Sequence, residues 1–192
     1  MQFNVNHAII ESNKEAAASG KGGRRMETMF NKSKVKSWIK KAHKHQWLSY
    51  GHGYITDGYV LLIEEQHMRP TILEMYGTLN PECRYPAETL QKMMSLPDKA
   101  IEVIDSQLEY APDAKYRLRI FYNPATGQEL TIDGKYFDLL DNPRVHTFYT
   151  NDAMDRLWIM YGDDVVGLFA PVRLQDQLSH IRFKAEEEVE QV

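Results

Sequence analysis

The chain has 192 residues with a hydrophobic share of 43% and an aromatic share of 11%, which is enough for a packed core and excludes a wholly disordered protein. Cys83 is the single cysteine, so an internal disulfide and a thiolate metal cluster are excluded, and we expect a reducing, cytoplasmic location. The net charge is −4, but residues 1–31 carry +1 and residues 32–45 contain six lysines and no acid, which leaves residues 46–192 with −11.

The two ends of the chain differ from its middle. Residues 11–27 are small, polar and glycine-rich, so we interpret residues 1–27 as a flexible leader. Residues 175–192 form a polar, acidic tail, and residues 28–174 are predicted to be a single domain. No apolar run approaches the roughly 18–20 residues of a membrane span, and the start lacks a secretory signal, so no membrane association is expected.

The first predicted element is a basic amphipathic helix over residues 31–45. Val35, Trp38, Ile39 and Ala42 fall at helical spacing and form one apolar stripe, and Asn31 or Ser33 can cap the start. At about 100° per residue the lysines fan over the opposite side. We expect them to contact phosphates of duplex DNA without reading bases; they are Lys34, Lys36, Lys40, Lys41 and Lys44. The alternatives are an ordinary solvated helix face and an anionic membrane surface.

The remaining elements are mostly strands. Residues 50–55 and 59–63 flank a Thr-Asp-Gly turn and predict a hairpin, and residues 71–76 read as a further strand. Residues 86–94 predict a short helix, and strands follow at 101–104, 116–122 and 129–132. A second, smaller helix is predicted over 135–140, followed by strands at 145–149, 157–161 and 165–169. This order indicates an α+β domain with an antiparallel sheet.

No motif in the sequence predicts catalysis. A phosphate-binding glycine loop, a nucleophile elbow and a zinc-protease pair are all missing. His43 and His45 point to different sides of a helix and stand among lysines, which disfavours a metal site. We therefore expect a binding protein with no enzymatic activity, cofactor or metal.

Three segments, in order, resemble a bacterial DNA polymerase III β sliding clamp. The first is the basic helix leading into residues 54–61, YITDGYVL, which is similar to the clamp's alanine-threonine-aspartate-glycine signature before a strand. The second is residues 132–140, IDGKYFDLL, similar to a short helix with a Tyr-Leu-x-Asp-x-Leu pattern. The third is LWIMY followed by DVVGLFAPVRL at residues 164–174, similar to closing strands that end in proline-x-arginine-leucine.

The resemblance covers residues 28–174 with a divergent stretch at about 64–115. It implies a clamp-like domain with two main helices on one side of a sheet, facing DNA. A bacterial clamp chain joins several such domains, so a ring would require further copies of this chain. The implied partners are double-stranded DNA, the chain itself and replication proteins. The alternative is a protein-interaction module that keeps the fold and uses its sheet edge or an apolar surface.

Overall fold

The computed structural model describes residues 28–113, 116–151 and 153–172. These residues form a nine-stranded sheet whose neighbouring strands are all antiparallel, with helices on both faces, which confirms the predicted α+β class. The helices are α1 (Lys32–Lys44), α2 (Arg69–Tyr76), α3 (Ala87–Met94) and α4 (Gly134–Phe137). The strands are β1 (Ser49–Gly51), β2 (Tyr54–Thr56), β3 (Val60–Ile63), β4 (Ile101–Asp113), β5 (Tyr116–Tyr122), β6 (Glu129–Asp133), β7 (His146–Thr150), β8 (Leu157–Tyr161) and β9 (Asp164–Phe169).

The sheet has the order β1-β2-β3-β9-β8-β7-β4-β5-β6 and curves back on itself. Beyond β9, the Val172 N–H donates to the Thr131 carbonyl of β6 at 2.8 Å. Phe169 and Val172 are three residues apart, which spans at most about 11 Å. Five strand spacings in a flat sheet would place β9 and β6 about 24 Å apart. The sheet must therefore curve. Phe121 of β5 and Phe148 of β7 lie two strands apart, yet their ring centroids are 5.0 Å apart within the larger core, which places that core on the concave side.

A helix followed by three antiparallel strands occurs twice in the chain. The first unit is α1 with β1, β2 and β3, and the second is α4 with β7, β8 and β9. The last strands of the two units, β3 and β9, pair with each other. Phe30 before α1 also bridges Leu140 after α4, so the two helix regions are joined on one side of the sheet.

Two apolar clusters occupy the two faces of the sheet. The larger contains residues of α1, α2 and α4, and the smaller is formed by α3 against Leu61, Trp158 and Leu168. Val60, Leu61 and Leu62 of β3 alternate between the clusters, because side chains along a strand point to opposite faces. Trp158 also donates its indole N–H to the Met93 carbonyl at 3.0 Å, which fastens α3 to the sheet.

The helix α1 confirms the predicted basic amphipathic helix. Its N-cap is Asn31, whose side-chain oxygen accepts the Lys34 N–H at 3.2 Å. Val35, Ile39 and Ala42 are buried, and Trp38 is partly buried against the larger core. The predicted hairpin at the Thr-Asp-Gly turn and the helix over 86–94 are likewise present, as β2–β3 and α3.

Other expectations need correction. The strand predicted at 71–76 is wrong, because these residues belong to α2, which starts with Pro70 in its first turn and ends at Gly77 with φ +70°. The helix predicted over 135–140 is only the four-residue α4. The described residues thus contain three helices of eight residues or more, α1, α2 and α3, in place of two main helices. The leader at 1–27 and the tail at 175–192 lie outside the described residues.

Candidate nucleic-acid interface

The structure places all five predicted lysines on the outward side of α1. Lys34, Lys36, Lys41 and Lys44 are exposed, whereas Lys40 is half-buried. The Lys40 ammonium contacts the Glu74 carboxylate of α2 at 2.7 Å. That contact lowers the pKa of Glu74, mainly through the hydrogen bond from Lys40. Lys40 is thus partly committed to joining α1 to α2. The other four predicted lysines, together with Lys32 at the start of α1, form the accessible cationic surface.

These four lysines differ in their charge partners from three arginines of the described structure, Arg69, Arg117 and Arg119. Among the described residues, no carboxylate lies within 4.0 Å of Lys34, Lys36, Lys41 or Lys44. Arg69, Arg117 and Arg119, in contrast, all have carboxylate partners: Glu64, Asp138 at 2.6 Å and Asp105 at 2.7 Å, respectively. The positive charge of α1 is therefore available to an external anion.

A cleft of about 230 Å³ separates α1 from α4, and we call it the α1–α4 cleft. Its α1 side is lined by Lys34, Ser37, Trp38, Lys41, Ala42 and, just after the helix, Trp47. Its other side is lined by Asp57, Lys135, Tyr136, Asp138 and Leu139. The charged groups on the α4 side have partners of their own, since Lys135 pairs with Asp133 and Asp138 pairs with Arg117. The α4 side therefore adds little free charge to that of Lys34 and Lys41.

The buried carboxylate of Asp57 holds the floor of the α1–α4 cleft together. Its Oδ2 accepts the Trp38 indole N–H at 2.8 Å and the Tyr136 hydroxyl at 3.2 Å. Its Oδ1 accepts the backbone N–H groups of Tyr59 at 3.0 Å and Val60 at 2.9 Å. Burial, and then the Asp57 charge, raise the pKa of Tyr136 above its ordinary value, so this phenol stays protonated and donates. One carboxylate therefore connects α1, the β2–β3 turn and α4.

Comparison with known proteins does not assign a function. No family model, curated protein or solved structure matches the chain. Within the described ranges, no three His, Cys, Asp or Glu side chains come together in a way that could hold a metal ion. None of the helices in that part of the chain is both long and apolar enough to cross a membrane. Any functional conclusion therefore depends on the geometry of α1 and its surroundings.

The lysines of the candidate site were predicted from the sequence, whereas its aromatic side was not. Trp47 has 54% of its surface exposed and stacks on His45, with ring centroids 4.9 Å apart at 25°. Trp47 lies at the mouth of the α1–α4 cleft because of the backbone conformation after the end of α1, which the sequence pattern does not specify. The local sequence signal was present, because aromatic and basic residues are interleaved in His43-Lys44-His45-Gln46-Trp47.

Proposed function

We propose that this chain is a non-enzymatic DNA-binding module whose helix α1 lies against the phosphates of duplex DNA. The observation that carries the proposal is the set of exposed lysines on one helix without a carboxylate neighbour in the described structure: Lys32 at its start and the predicted Lys34, Lys36, Lys41 and Lys44. Lysine ammonium groups neutralise phosphates and release counterions, which gives affinity without base recognition.

The placement of lysines near the start of α1 supports a functional role beyond helix stability. The N-terminus of a helix carries a partial positive charge, so a cation there costs roughly 0.3–1 kcal/mol and an anion is favoured. The first turn of α1 contains Lys34 and has no acidic residue. Lys41 and Lys44 lie in the last turn, where a positive charge interacts favourably with the helix dipole. Acidic residues at the start of a helix stabilise it, and α1 has none there. A phosphate bound near Lys34 would offset the unfavourable free energy of that lysine.

The proposal includes a clamp-like arrangement of the domain. The repeated unit of one helix and three strands, with α1 and α4 on the concave side, supports it, because a clamp-like domain presents its helices to DNA and keeps strands behind them. The contact falls mainly on α1, since α4 has four residues and its Lys135 is paired with Asp133. Further copies of the chain and replication proteins are the partners that this arrangement suggests.

The second candidate is a protein-interaction module that does not bind DNA. The outer strand β6 is already contacted, because its Thr131 carbonyl accepts the Val172 N–H at 2.8 Å. Exposed apolar side chains on β4, Ile104 at 43% and Leu108 at 61%, favour this candidate through an apolar surface in place of a sheet edge. Binding of a partner through Ile104 and Leu108 would be independent of the α1 lysines.

The test is a titration of a labelled duplex of random sequence across salt. Four lysine–phosphate contacts predict a log–log slope of about −3.6 and a loss of affinity of about 150-fold between roughly 50 and 200 mM salt. The variant Lys36→Gln/Lys44→Gln should reduce the slope by about 2, because each phosphate-binding lysine contributes about 1. Both side chains are exposed, so the melting temperature should hardly change.

A matched control removes the same charge from residues outside α1. Lys92 in α3 and Lys99 are also exposed, and Lys92→Gln/Lys99→Gln should keep the wild-type slope. Equal effects of the two double variants would show that only net charge matters and would refute the α1 assignment. Absence of duplex binding at about 50 mM salt would refute DNA binding and leave the interaction module.

A further inference from the structure

The backbone holds Trp47 at a defined place at the mouth of the α1–α4 cleft. The N–H groups of Trp47 and Leu48 both donate to the Ala42 carbonyl, at 3.0 and 3.3 Å. Gln46 adopts the left-handed conformation with φ 60°, which a residue other than glycine adopts at a cost. The indole is thus exposed on a chain segment anchored to the end of α1, and binding loses little conformational entropy there.

The chemistry of the cleft matches a base joined to a phosphate chain. Trp38, Ala42 and Leu139 give it an apolar lining, while Lys34 and Lys41 place positive charge on the same wall as Trp47. Its volume of about 230 Å³ is below the roughly 300–1,000 Å³ typical of pockets for drug-sized ligands, so one flat ring suits it better than a whole cofactor. An aromatic platform beside lysines is the combination that binds single-stranded nucleic acid.

We propose that the α1–α4 cleft binds an unpaired base of single-stranded DNA, which stacks on Trp47 while Lys34 and Lys41 contact the adjoining phosphates. This inference rests on the proposed DNA binding by α1 and extends it from duplex to single strand. A paired base is held in its own stack and does not reach Trp47, so the stacking contact belongs to the single strand alone.

The site should accept different bases. Two carboxylates line the cleft, and that of Asp138 is paired with Arg117 at 2.6 Å. Asp57 lies on the cleft floor, and its two oxygens already accept four hydrogen bonds, which matches the capacity of a carboxylate. It therefore has no acceptor left for the amino group of cytosine or adenine. Stacking does not distinguish strongly between bases, because each has a π face.

The experiment compares three fluorescent DNA ligands of equal length: an oligo-dT strand, the same strand with abasic sites, and a duplex. Trp47→Ala should weaken oligo-dT binding by about 5- to 150-fold, which corresponds to about 1–3 kcal/mol for one stacked base. Duplex affinity and abasic-strand affinity should not change. Trp47→Phe should retain most of the oligo-dT affinity, because phenyl also stacks. Tyr59→Ala is the control, since Tyr59 is an exposed aromatic residue that does not line the cleft.

The outcomes separate this inference from the proposed function. Equal oligo-dT affinity of wild type and Trp47→Ala overturns base stacking, and duplex binding that still depends on Lys36 and Lys44 then leaves the proposed function standing. Equal weakening of all three ligands by Trp47→Ala also overturns it, because the loss would be structural. If the wild type binds none of the three ligands at low salt, both the proposed DNA binding and the stacking of a base on Trp47 are refuted.

Discussion

Replacing Asp57 should destabilise the domain more than any exposed carboxylate does, because its side chain joins three separate elements. It has 8% of its surface exposed and accepts hydrogen bonds from Trp38, Tyr136 and two backbone N–H groups. Asp57→Ala removes every acceptor and leaves four donors without their partner. One of these, the Val60 N–H, lies in a buried hydrogen bond, so water cannot readily replace the carboxylate there.

The magnitude follows from the cost of each lost bond. Hydrogen bonds to a charged group contribute about 1.5–3 kcal/mol each, but four bonds to one carboxylate are not additive, and the adjoining cleft admits water. We expect Asp57→Ala to lower the free energy of unfolding by about 3–5 kcal/mol, the range of a broken buried network. Asp57→Asn keeps one oxygen that can accept the backbone N–H groups, but its amide NH2 faces the Trp38 indole N–H, which is also a donor. We therefore expect this variant to lower the free energy of unfolding by about 1–3 kcal/mol.

Urea unfolding of the full chain measures both losses, with the m-value as a check that the unfolded state is unchanged. Asp98→Ala is the control. Asp98 is exposed, so the free energy of unfolding of this variant should lie within about 0.5 kcal/mol of the wild-type value. Trp38→Phe should cost clearly less in the Asp57→Asn variant than in wild type, since the acceptor for the indole N–H is already gone. Additive effects of the two substitutions, or an Asp57→Ala loss below that of Asp57→Asn, would refute the proposed network.

Two further predictions concern pH and packing. Burial lowers the pKa of His146 below its ordinary 6.5, opposed only in part by its contact with the Asn142 carbonyl, so the unfolded chain gains a proton first as pH falls. Stability should therefore decrease below about pH 6.5. Between about pH 7.5 and 5.5 the melting temperature of His146→Gln should fall less than that of the wild type. An equal fall in both proteins would contradict a role of His146 in the pH dependence. Phe121 is fully buried against Phe137 and Phe148, so Phe121→Ala should lower the unfolding free energy by about 3–5 kcal/mol in urea, and a loss below about 1 kcal/mol would contradict its place in the core.

Local patterns predicted many of the elements correctly. The apolar spacing of α1, the turn before β3 and the alternating runs of β8 and β9 all express backbone periodicity, which neighbouring residues alone define. The strand expected at 71–76 failed because Thr71 and Ile72 suit either structure, and packing of α2 against α1 decides between them. Pro70 and Gly77 are typical of the start and the end of a helix, but the short apolar run between them favoured a strand in the prediction.

The long strand β4 could not be predicted over its full length. Residues 101–103 pair with β7, and its later residues pair with β5 across a bulge. The φ of 61° at Gln107 and the two bonds from Arg119 to the Asp105 carboxylate, at 2.7 and 2.8 Å, maintain that irregularity. These contacts join residues 14 positions apart, so a pattern of adjacent residues does not contain them.

The amino-acid sequence alone specifies that one helix carries a concentrated positive charge opposite an apolar stripe, because both follow from residue type and the helical period. It also determined an antiparallel α+β class through the order of its strands and turns. The folded structure sets which of these charges stays available to a partner. It pairs Lys40 with Glu74, leaves Lys34 and Lys41 beside Trp47, and buries Asp57 beneath them. Such pairings depend on distances between elements far apart in the chain, which side-chain packing sets and local periodicity does not encode.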